Sequence, residues 1–383
     1  MPVVALSPLH TADGLLTIDV LARLVSSTVL NPSHSILLPF AALLRASGIG
    51  AARSLPQALD LLRKVDWPPV FAERTVQLAL AVWGVGLALT ANAQLNRAVR
   101  NNFARSSKRW NWAEEVVLVT GGAGGLGSEV VKRLAGQGIK VVVFDLAPLS
   151  FEAPPGVTYV KVDISSAAAV QEAAAKVRES VGHPTVLINM AGIVRANSIL
   201  DMSQREIDLT YDINVKAHYY TVQAFLPEMI KNGHGHIVTI ASSTAYHQAA
   251  NGVAYCSSKA AALSFHEGLT EELRHTYRPH AHARQIRTSV ICPAHIKTAM
   301  FDGFENEIPS ALAPSLEVGT VAGLVVATVL SGESQHIVEP LYAKFTPMAR
   351  GLPAWMYSAI LAFTKDAMAG VRVAQAIKAG KSD

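Results

Sequence analysis

The spacing of apolar positions changes near residue 110 and divides the chain. After Trp110, short continuous apolar runs alternate with longer segments in which apolar residues recur every three to four positions. Continuous short runs predict strands buried on both faces, and the periodic segments predict helices that cross over between them. Residues 111–345 are therefore predicted to form an α/β domain, a doubly wound parallel sheet of the Rossmann type.

The predicted strands are Val116–Thr120, Val141–Asp145, Tyr159–Val162, Val186–Asn189, His236–Ala241 and Arg287–Cys292. The predicted helices are Ser128–Gly136, Ala167–Val181, Glu206–Ile230, Ala254–His275 and Val318–Leu330.

Residues 1–110 contain two long uncharged stretches. The stretch Thr75–Asn96 is long enough to cross a bilayer as a single helix, which takes about 20 apolar residues. The stretch Leu24–Leu44 contains Pro32 and Pro39, which predict a broken or interfacial helix. Residues 1–110 are thus predicted to form an N-terminal helical region that anchors the protein to a membrane.

Hydropathy alone does not separate a membrane span from a buried helical hairpin packed on the main domain, so this second interpretation stays open. A cleaved signal peptide is disfavoured, because Asp13 and Asp19 interrupt the start and no basic segment precedes an apolar core. At the other end, Leu352–Thr364 is uncharged but too short to span a bilayer. Residues 346–383 are expected to form a helical tail lying on the membrane or on the domain.

Positive charge is concentrated in the N-terminal region. The whole chain carries a net charge of +4, whereas residues 1–110 hold 11 Lys and Arg against 5 Asp and Glu. Five of these cations follow the longer apolar stretch closely: Arg97, Arg100, Arg105, Lys108 and Arg109. The positive-inside rule places this flank, and the domain after it, on the cytoplasmic side. The basic residues are not accompanied by a groove-reading motif, so no nucleic-acid partner is expected.

A histidine-rich segment near residue 280 is a candidate metal site. It contains His275, His280 and His282 among Arg274, Arg278 and Arg284. Neighbouring cations repel a metal ion, and the segment offers no acidic or Cys ligand, so a solvated basic loop is the better interpretation and no metal is expected. The two cysteines, Cys256 and Cys292, are too few for a disulfide framework. Cys256 is interpreted as a small buried apolar residue.

A glycine-rich run predicts a dinucleotide site. Thr120-Gly-Gly-Ala-Gly-Gly-Leu-Gly127 follows a predicted strand and opens a helix. Glycines let the backbone approach a pyrophosphate, and the N–H groups of the helix start face its negative charge. Asp145 ends the next strand, where a carboxylate accepts hydrogen bonds from ribose hydroxyls and repels a 2′-phosphate. The residues after it, Leu146, Ala147 and Pro148, carry no cation, so NAD is favoured over NADP.

Tyr255 and Lys259 share one face of a predicted helix, because they are four positions apart. An ammonium beside a phenol favours the phenolate and so lowers the pKa of the phenol. Such a tyrosine can take a proton from an alcohol while hydride leaves, or return it during reduction. Ser242 follows a predicted strand, at the end where open sheets bind ligands, and can hydrogen-bond the substrate oxygen. His247 and His295 are expected to line the pocket without transferring a proton.

With these motifs, the chain from about Glu114 to Glu339 resembles the short-chain dehydrogenase/reductase family. The glycine run matches that family's Thr-Gly-x-x-x-Gly-x-Gly fingerprint. Asn189-Met-Ala-Gly192 matches its Asn-Asn-Ala-Gly element, with Met190 in place of the second Asn. Cys292-Pro-Ala-His-Ile-Lys-Thr298 matches the element that holds the nicotinamide, with Ala294 where Gly is usual.

The resemblance implies a role for each matching residue. The implied catalytic residues are Asn214, Ser242, Tyr255 and Lys259. Among them, Asn214 would hold a water that connects Lys259 to solvent. The implied cofactor residues are Thr120, Gly121, Gly125, Leu126, Gly127, Asp145, Asp163, Ile164, Asn189, Ala191, Gly192, Tyr255, Lys259, Pro293, Ile296 and Thr298. Asp163 would contact the adenine, and Thr298 with the backbone of Ile296 would hold the carboxamide.

The apolar N-terminal region and Trp110-Asn-Trp112 resemble the membrane-bound branch that contains retinol and 17-beta-hydroxysteroid dehydrogenases, although a region of 110 residues is longer than usual there. The predicted protein is therefore an oxidoreductase that transfers a hydride between a nicotinamide cofactor and a lipophilic alcohol, ketone or aldehyde of the retinoid, steroid or fatty type. Its expected partners are this substrate, a membrane (endoplasmic reticulum or lipid droplet in a eukaryote) and a second copy of the chain. Two alternatives stay open: a non-catalytic scaffold at a lipid surface, and a soluble dehydrogenase of a polar metabolite capped by residues 1–110.

Overall fold

A computed structural model of the chain describes residues 18–104, 109–277, 279–280, 282–304, 308–362 and 364–378. The described residues form two compact units, Ile18–Val99 and the chain from Arg100 onward. Asp13, Arg105, Lys108 and Arg278, which the sequence singles out, lie outside the described residues.

The larger unit is built on a parallel sheet. Its described strands are β1 (Val116–Thr120), β2 (Lys140–Asp145), β3 (Val157–Lys161), β4 (Val186–Asn189), β5 (His236–Ile240), β6 (Arg287–Pro293) and β7 (His336–Glu339). They lie in the order β3-β2-β1-β4-β5-β6-β7, and every neighbouring pair is parallel. The predicted doubly wound sheet is confirmed. Because the order reverses between β1 and β4, a crevice opens at the carboxyl ends of these two strands.

The sheet is stabilised by apolar side chains that pack against helices on both of its faces. Alternate residues of β1 point to opposite sides, so Leu118 joins one apolar core and Val119 joins the other. Both side chains are inaccessible to solvent. A strand buried on both faces has no polar face, which is why the sequence of β1 reads as a continuous apolar run.

Helices cover the two faces of the sheet and supply residues to the site. The main ones are Gly125–Ala135, Ala167–Ser180, Gln204–Tyr211, Ala217–Asn232, Val253–Glu271 and Val318–Ser331. The prediction of one regular helix over Glu206–Ile230 is wrong in detail, because the segment Asp212–Lys216 forms a π-helical turn. A second π-helical turn, Glu272–Thr276, ends the helix that carries Tyr255. Turns of this kind are frequent at functional sites.

The smaller unit is helical. Its helices are Ile18–Ser27, Pro32–Ser35, Leu37–Ala46, Leu55–Lys64 and Trp67–Ala72, followed by Arg74–Arg100, which continues into the larger unit. The first predicted stretch is indeed broken at Pro32, where the Asn31 side chain caps a new helix. Among the described helices, Arg74–Arg100 is the one with the length and apolar composition needed to cross a bilayer. Several of its large apolar side chains are exposed, among them Leu78 and Leu95.

The described C-terminal residues form a short helix, Thr346–Ala349, and two longer ones, Ala354–Ala362 and Ala369–Lys378. The helix Ala369–Lys378 lies on the domain, since Gln375 accepts a hydrogen bond from the Ala196 amide at 3.1 Å and donates one to the Val194 carbonyl at 3.2 Å. These contacts bring the tail beside the loop that follows β4.

Candidate active site

The glycine turn after β1 brings bare backbone to the edge of an open cleft. A Cβ on Gly127 would lie 2.0 Å from the carbonyl oxygen of Gly121, so a side chain cannot fit there. Gly121 and Gly125 have positive φ angles of 71° and 53°, which glycine adopts without strain. A Cβ on Gly125, in contrast, would meet no heavy atom within 4 Å. Tight packing inside the turn and open space outside it fit a pyrophosphate at the helix start.

Asp145 is fixed at the end of β2 by the turn itself. Its Oδ2 accepts a hydrogen bond from the Ala123 amide at 2.9 Å, and its Oδ1 accepts one from the Ala147 amide at 3.1 Å. Each carboxylate oxygen keeps lone-pair capacity for a further donor. The carboxylate therefore lies where the ribose hydroxyls of a dinucleotide would be bound.

One cleft of about 960 Å³ runs along the carboxyl ends of the strands. Its size lies within the range of sites for cofactors and small molecules. Fifteen of the predicted site residues line it: Gly121, Gly125, Leu126, Gly127, Asp145, Asp163, Ile164, Ala191, Gly192, Ser242, Tyr255, Lys259, Pro293, Ile296 and Thr298.

Three predicted site residues, Thr120, Asn189 and Asn214, lie behind the wall of the cleft. The Thr120 hydroxyl accepts hydrogen bonds from the amides of Met190 and Ala191, at 3.0 and 3.1 Å. The Asn189 Oδ1 accepts a hydrogen bond from the Thr221 hydroxyl at 2.8 Å. Thr120 and Asn189 hold neighbouring strands and helices in place rather than facing a cofactor.

Asn214 lies in the π-helical turn and is fully buried. Its Oδ1 accepts a hydrogen bond from the Ile193 amide, and its Nδ2 donates to the Ile193 carbonyl and to the Ser258 hydroxyl. Both amide hydrogens are thus bound to protein atoms. A water could reach this side chain only through the second lone pair of Oδ1.

A point next to Gly192 lies 3.4 Å from both Asn214 Oδ1 and Lys259 Nζ, since this is where a Cβ at Gly192 would be. The absence of a side chain there leaves the two polar atoms facing the same small space.

The phenol of Tyr255 is buried beside Ser242. The Ser242 hydroxyl is near enough to the phenol to favour the phenolate, but burial outweighs this effect and raises the pKa of Tyr255 above its ordinary value. The prediction that Lys259 lowers this pKa is therefore wrong. Ser242 is itself held in place, because its hydroxyl accepts a hydrogen bond from the Thr244 amide at 3.2 Å.

Lys259 is buried behind the phenol. Its Nζ lies 5.9 Å from the centre of the Tyr255 ring and donates a hydrogen bond to the Ile240 carbonyl at 2.9 Å. Burial disfavours the ammonium and lowers the pKa of Lys259 to about 8. The group can therefore exchange a proton near neutral pH.

Aromatic and aliphatic side chains form the rest of the cleft wall. The Phe301 ring contacts the Tyr255 ring edge to face at 5.8 Å, and Phe304 lies one turn further on. Met368, from the C-terminal segment, packs against Tyr255 and Cys256. Sequence reasoning missed these residues. The two phenylalanines just after Thr298 were a usable signal, whereas Met368 reaches the site only through long-range packing.

The other sequence candidates also have definite places. His247 and His295 line the cleft, and burial lowers the pKa of His295 to about 4. Cys256 is buried in an apolar cluster, and burial raises its pKa. Within the described part of the chain, no three His, Cys, Asp or Glu side chains are grouped closely enough to hold a metal ion.

The unusual Ala294 causes no strain. It lies among the described residues outside the left-handed region, and its amide donates a hydrogen bond to the Glu339 carbonyl at 2.8 Å.

Comparisons with known proteins agree with this geometry. The family model described as short chain dehydrogenase matches residues 115–308. Dehydrogenase RED2 of Cochliobolus heterostrophus is 39% identical over 214 residues, which cover 55% of this chain and 78% of the relative. Estradiol 17-beta-dehydrogenase 11 of Mus musculus is 34% identical over 258 residues, covering 64% and 82% of the two chains. Epidermal retinol dehydrogenase 2 of Homo sapiens is 36% identical over 272 residues, covering 66% and 85%.

Among solved structures, a short chain dehydrogenase from Burkholderia cenocepacia in complex with NADP is similar, with a TM-score of 0.53 and 26% identity. The similarity covers 65% of this chain and 98% of that one. A short-chain dehydrogenase from Streptomyces avermitilis shares the fold, with a TM-score of 0.51 and 22% identity over 62% of this chain and 92% of that one.

Proposed function

Since the chain belongs to the short-chain dehydrogenase/reductase family and is an NAD(P)-dependent oxidoreductase acting on CH–OH groups, we propose that it interconverts a lipophilic alcohol and its ketone or aldehyde. The observation that carries this proposal is the pair of neighbouring hydroxyl groups of Ser242 and Tyr255, which line a cleft walled by Phe301, Phe304 and Met368. An apolar wall around a single polar pair selects a substrate that is apolar apart from its reacting oxygen. Relatives named as estradiol and retinol dehydrogenases support the same class of substrate.

In the proposed reaction, the substrate oxygen lies between the hydroxyls of Ser242 and Tyr255. Ser242 hydrogen-bonds this oxygen and holds the carbinol carbon in one orientation. Tyr255 accepts the hydroxyl proton during oxidation and donates it during reduction. When bound, the nicotinamide ring takes up or supplies the hydride.

Lys259 and Asn214 support the phenol from behind. The Lys259 ammonium stabilises the phenolate that Tyr255 forms as it gives up its proton. Asn214 acts as a positioning residue, because its amide ties the Ile193 loop to the helix of Tyr255 through Ser258. The space shared by Asn214 Oδ1 and Lys259 Nζ is suited to a water that passes protons from Lys259 towards solvent.

We propose NAD as the preferred cofactor. The Asp145 carboxylate is fixed at the cleft by Ala123 and Ala147, and a 2′-phosphate at this place would meet its negative charge. The backbone of the glycine turn, from Gly121 to Gly127, would hold the pyrophosphate.

We also propose that the helix Arg74–Arg100 anchors the protein to a membrane. It is long and apolar enough, its large side chains are mostly exposed, and it ends on Arg97 and Arg100. Washing membranes with alkaline carbonate tests this proposal. An anchored protein stays in the pellet, whereas release into the supernatant would contradict the anchor and favour a helical cap.

Turnover of full-length, detergent-solubilised protein tests the catalytic proposal. NAD or NADP is supplied with a panel of steroid, retinoid and long-chain alcohols, and nucleotide reduction is followed by absorbance. We expect oxidation that Tyr255→Phe reduces by at least a hundredfold while nucleotide affinity stays within a fewfold. Tyr246→Phe is the matched control outside the helix of Tyr255. Nucleotide binding without turnover on the whole panel would instead favour the non-catalytic scaffold.

A further inference from the structure

His295 is held rigidly in the wall of the cleft. Its Nδ1 lies 2.8 Å from the Ser315 hydroxyl, within hydrogen-bonding distance. Its ring stacks on Phe304 with centres 3.9 Å apart and planes 15° apart, and it meets the edge of Phe301 at 5.6 Å. Contacts with two aromatic rings and a hydrogen-bonding contact at one nitrogen leave the imidazole little freedom to rotate.

The other ring nitrogen, Nε2, is buried and has no hydrogen-bond partner in the protein. A buried polar nitrogen without a partner is costly, so its position calls for an explanation. Because His295 lines the cleft, a molecule bound there can supply the missing partner by displacing the side-chain atoms that cover Nε2. Burial lowers the pKa of His295 to about 4, so the ring is neutral at physiological pH and offers a hydrogen bond rather than a charge.

His295 lies close to the reacting groups without touching them. The Phe301 ring contacts the Tyr255 ring at 5.8 Å on one side and the imidazole at 5.6 Å on the other. The Phe301 ring therefore lies between the imidazole of His295 and the phenol of Tyr255 and contacts both. A group that binds His295 must lie a short distance along the substrate from the carbon that is oxidised.

We propose that His295 determines specificity by hydrogen-bonding, through Nε2, a second oxygen of the substrate a few carbons from the reacting carbon. This inference rests on the proposed function and narrows it to apolar diols and hydroxyketones. In a neutral imidazole one nitrogen donates and the other accepts, so the direction of the hydrogen bond with Ser315 sets the role of Nε2. If Nδ1 donates to Ser315, Nε2 accepts from a hydroxyl; in the other tautomer it donates to a carbonyl.

The test compares matched substrates with full-length, detergent-solubilised protein and NAD. The probes are a long-chain secondary alcohol and the same chain with a second hydroxyl, or a carbonyl, a few carbons away. The variants are His295→Phe, which keeps an aromatic ring on Phe304, and Ser315→Ala, which frees Nδ1. His183→Phe, at an exposed position, is the control for the loss of a histidine.

We expect wild type to favour one bifunctional substrate over the mono-alcohol in kcat/KM. His295→Phe should lower this preference by about three- to tenfold, the size expected for one neutral hydrogen bond, whatever its effect on mono-alcohol turnover. Ser315→Ala should lower it by less, and His183→Phe should not change it. A structural defect would reduce both substrates alike, so only the ratio reports recognition.

An unchanged ratio in His295→Phe, or a wild type without preference, would overturn this inference and leave the proposed function intact. If wild type oxidised none of the probes, the proposed function would fail on that panel. The inference would then be decided by thermal stabilisation of the NAD-loaded protein. A shift with the bifunctional probe that is lost in His295→Phe supports it, and equal shifts in the two proteins refute it.

Discussion

The side chain of Asn214 binds both backbone polar groups of Ile193: the Ile193 amide donates to Oδ1 at 2.8 Å, and Nδ2 donates to the Ile193 carbonyl at 2.9 Å. Nδ2 also donates to the Ser258 hydroxyl at 2.9 Å, one residue before Lys259. A single buried amide therefore ties the loop after β4 to the helix that carries the proposed catalytic pair.

Replacing Asn214 with Ala should destabilise the protein and lower turnover together. The change leaves the Ile193 amide and carbonyl buried without partners, so we expect a loss of roughly 2–4 kcal/mol in the free energy of unfolding. Denaturant unfolding followed by tryptophan fluorescence measures this loss. Asn232→Ala, at an exposed helix end, is the control and should change stability by less than about 0.5 kcal/mol. Equal stability of the two variants would show that the Ile193 contacts are unimportant.

Replacing Gly127 with Ala should abolish nucleotide binding. Its Cβ would lie 2.0 Å from the Gly121 carbonyl oxygen, so the turn that faces the cleft must shift. Nucleotide binding is measured by fluorescence titration. Gly268→Ala is the matched control, since a Cβ there meets no heavy atom within 4 Å, and it should bind normally and gain up to about 1 kcal/mol in stability. Normal binding by Gly127→Ala would remove the glycine turn from the cofactor site.

Replacing Asp145 with Asn should shift the cofactor preference towards NADP. The variant loses the negative charge but keeps an oxygen that can accept a hydrogen bond from Ala123 or Ala147. We expect the ratio of NADP affinity to NAD affinity to rise by roughly tenfold or more. Paired titrations with NAD and NADP measure it, with the exposed Glu152→Gln as the control. A ratio that stays constant would mean that Asp145 does not face the 2′ position.

Lys259 should make stability depend on pH. Its pKa is about 8 in the folded protein and 10.5 in the reference state, because burial disfavours the charged form. Between these values the unfolded chain binds a proton that the folded chain does not, so stability rises with pH. The burial penalty is fully present below pH 8 and is relieved by about 3 kcal/mol towards pH 10.5.

Comparing the unfolding of wild type and Lys259→Met at several pH values removes the contributions of groups far from this lysine, because those groups titrate equally in both proteins. The stability of wild type should rise relative to Lys259→Met between pH 8 and pH 10. Lys176→Met, at an exposed helix position, should follow wild type throughout. Parallel curves for wild type and Lys259→Met would show that the lysine keeps its ordinary pKa in the folded protein and that burial does not lower it.

The sheet was predictable because a strand buried on both faces needs apolar residues at nearly every position, and such continuous apolar runs are easily recognised in a sequence. Six strands were placed within a few residues, since runs such as Val116–Thr120 are apolar at every position but the last. Strand β7 was missed because His336–Glu339 has only four residues and polar ends. The π-helical turn at Asp212–Lys216 was also missed, since its sequence has no breaker and the extra residue follows from tertiary packing.

The site was predictable where chemistry requires a particular residue type. Motif spacing singled out the residues that meet in the cleft, including Ser242, Tyr255 and Lys259. The sign of the Tyr255 pKa shift was wrong, because burial depends on the packing of the whole domain and not on one neighbour. The substrate side was not predictable for the same reason, since Met368 reaches Tyr255 from more than a hundred residues further along the chain.

The contact between Gly303 and Gly370 should control how tightly the C-terminal segment closes the substrate side. A Cβ on Gly370 would lie 2.0 Å from the Gly303 carbonyl oxygen, so Gly370→Ala must push the tail away from the segment that carries Phe301. Because Met368, two residues before Gly370, lines the cleft, the apolar wall should open. We expect KM for a lipophilic alcohol to rise about tenfold or more while NAD affinity stays within twofold. The size of this rise follows because losing one apolar contact between substrate and pocket costs about 1–3 kcal/mol of binding free energy. Steady-state kinetics and NAD titration separate the two, with Gly351→Ala as the control outside the contact. A variant with unchanged KM would show that the tail does not shape the substrate pocket, and a parallel loss of NAD affinity would show that its effect spreads to the whole cleft.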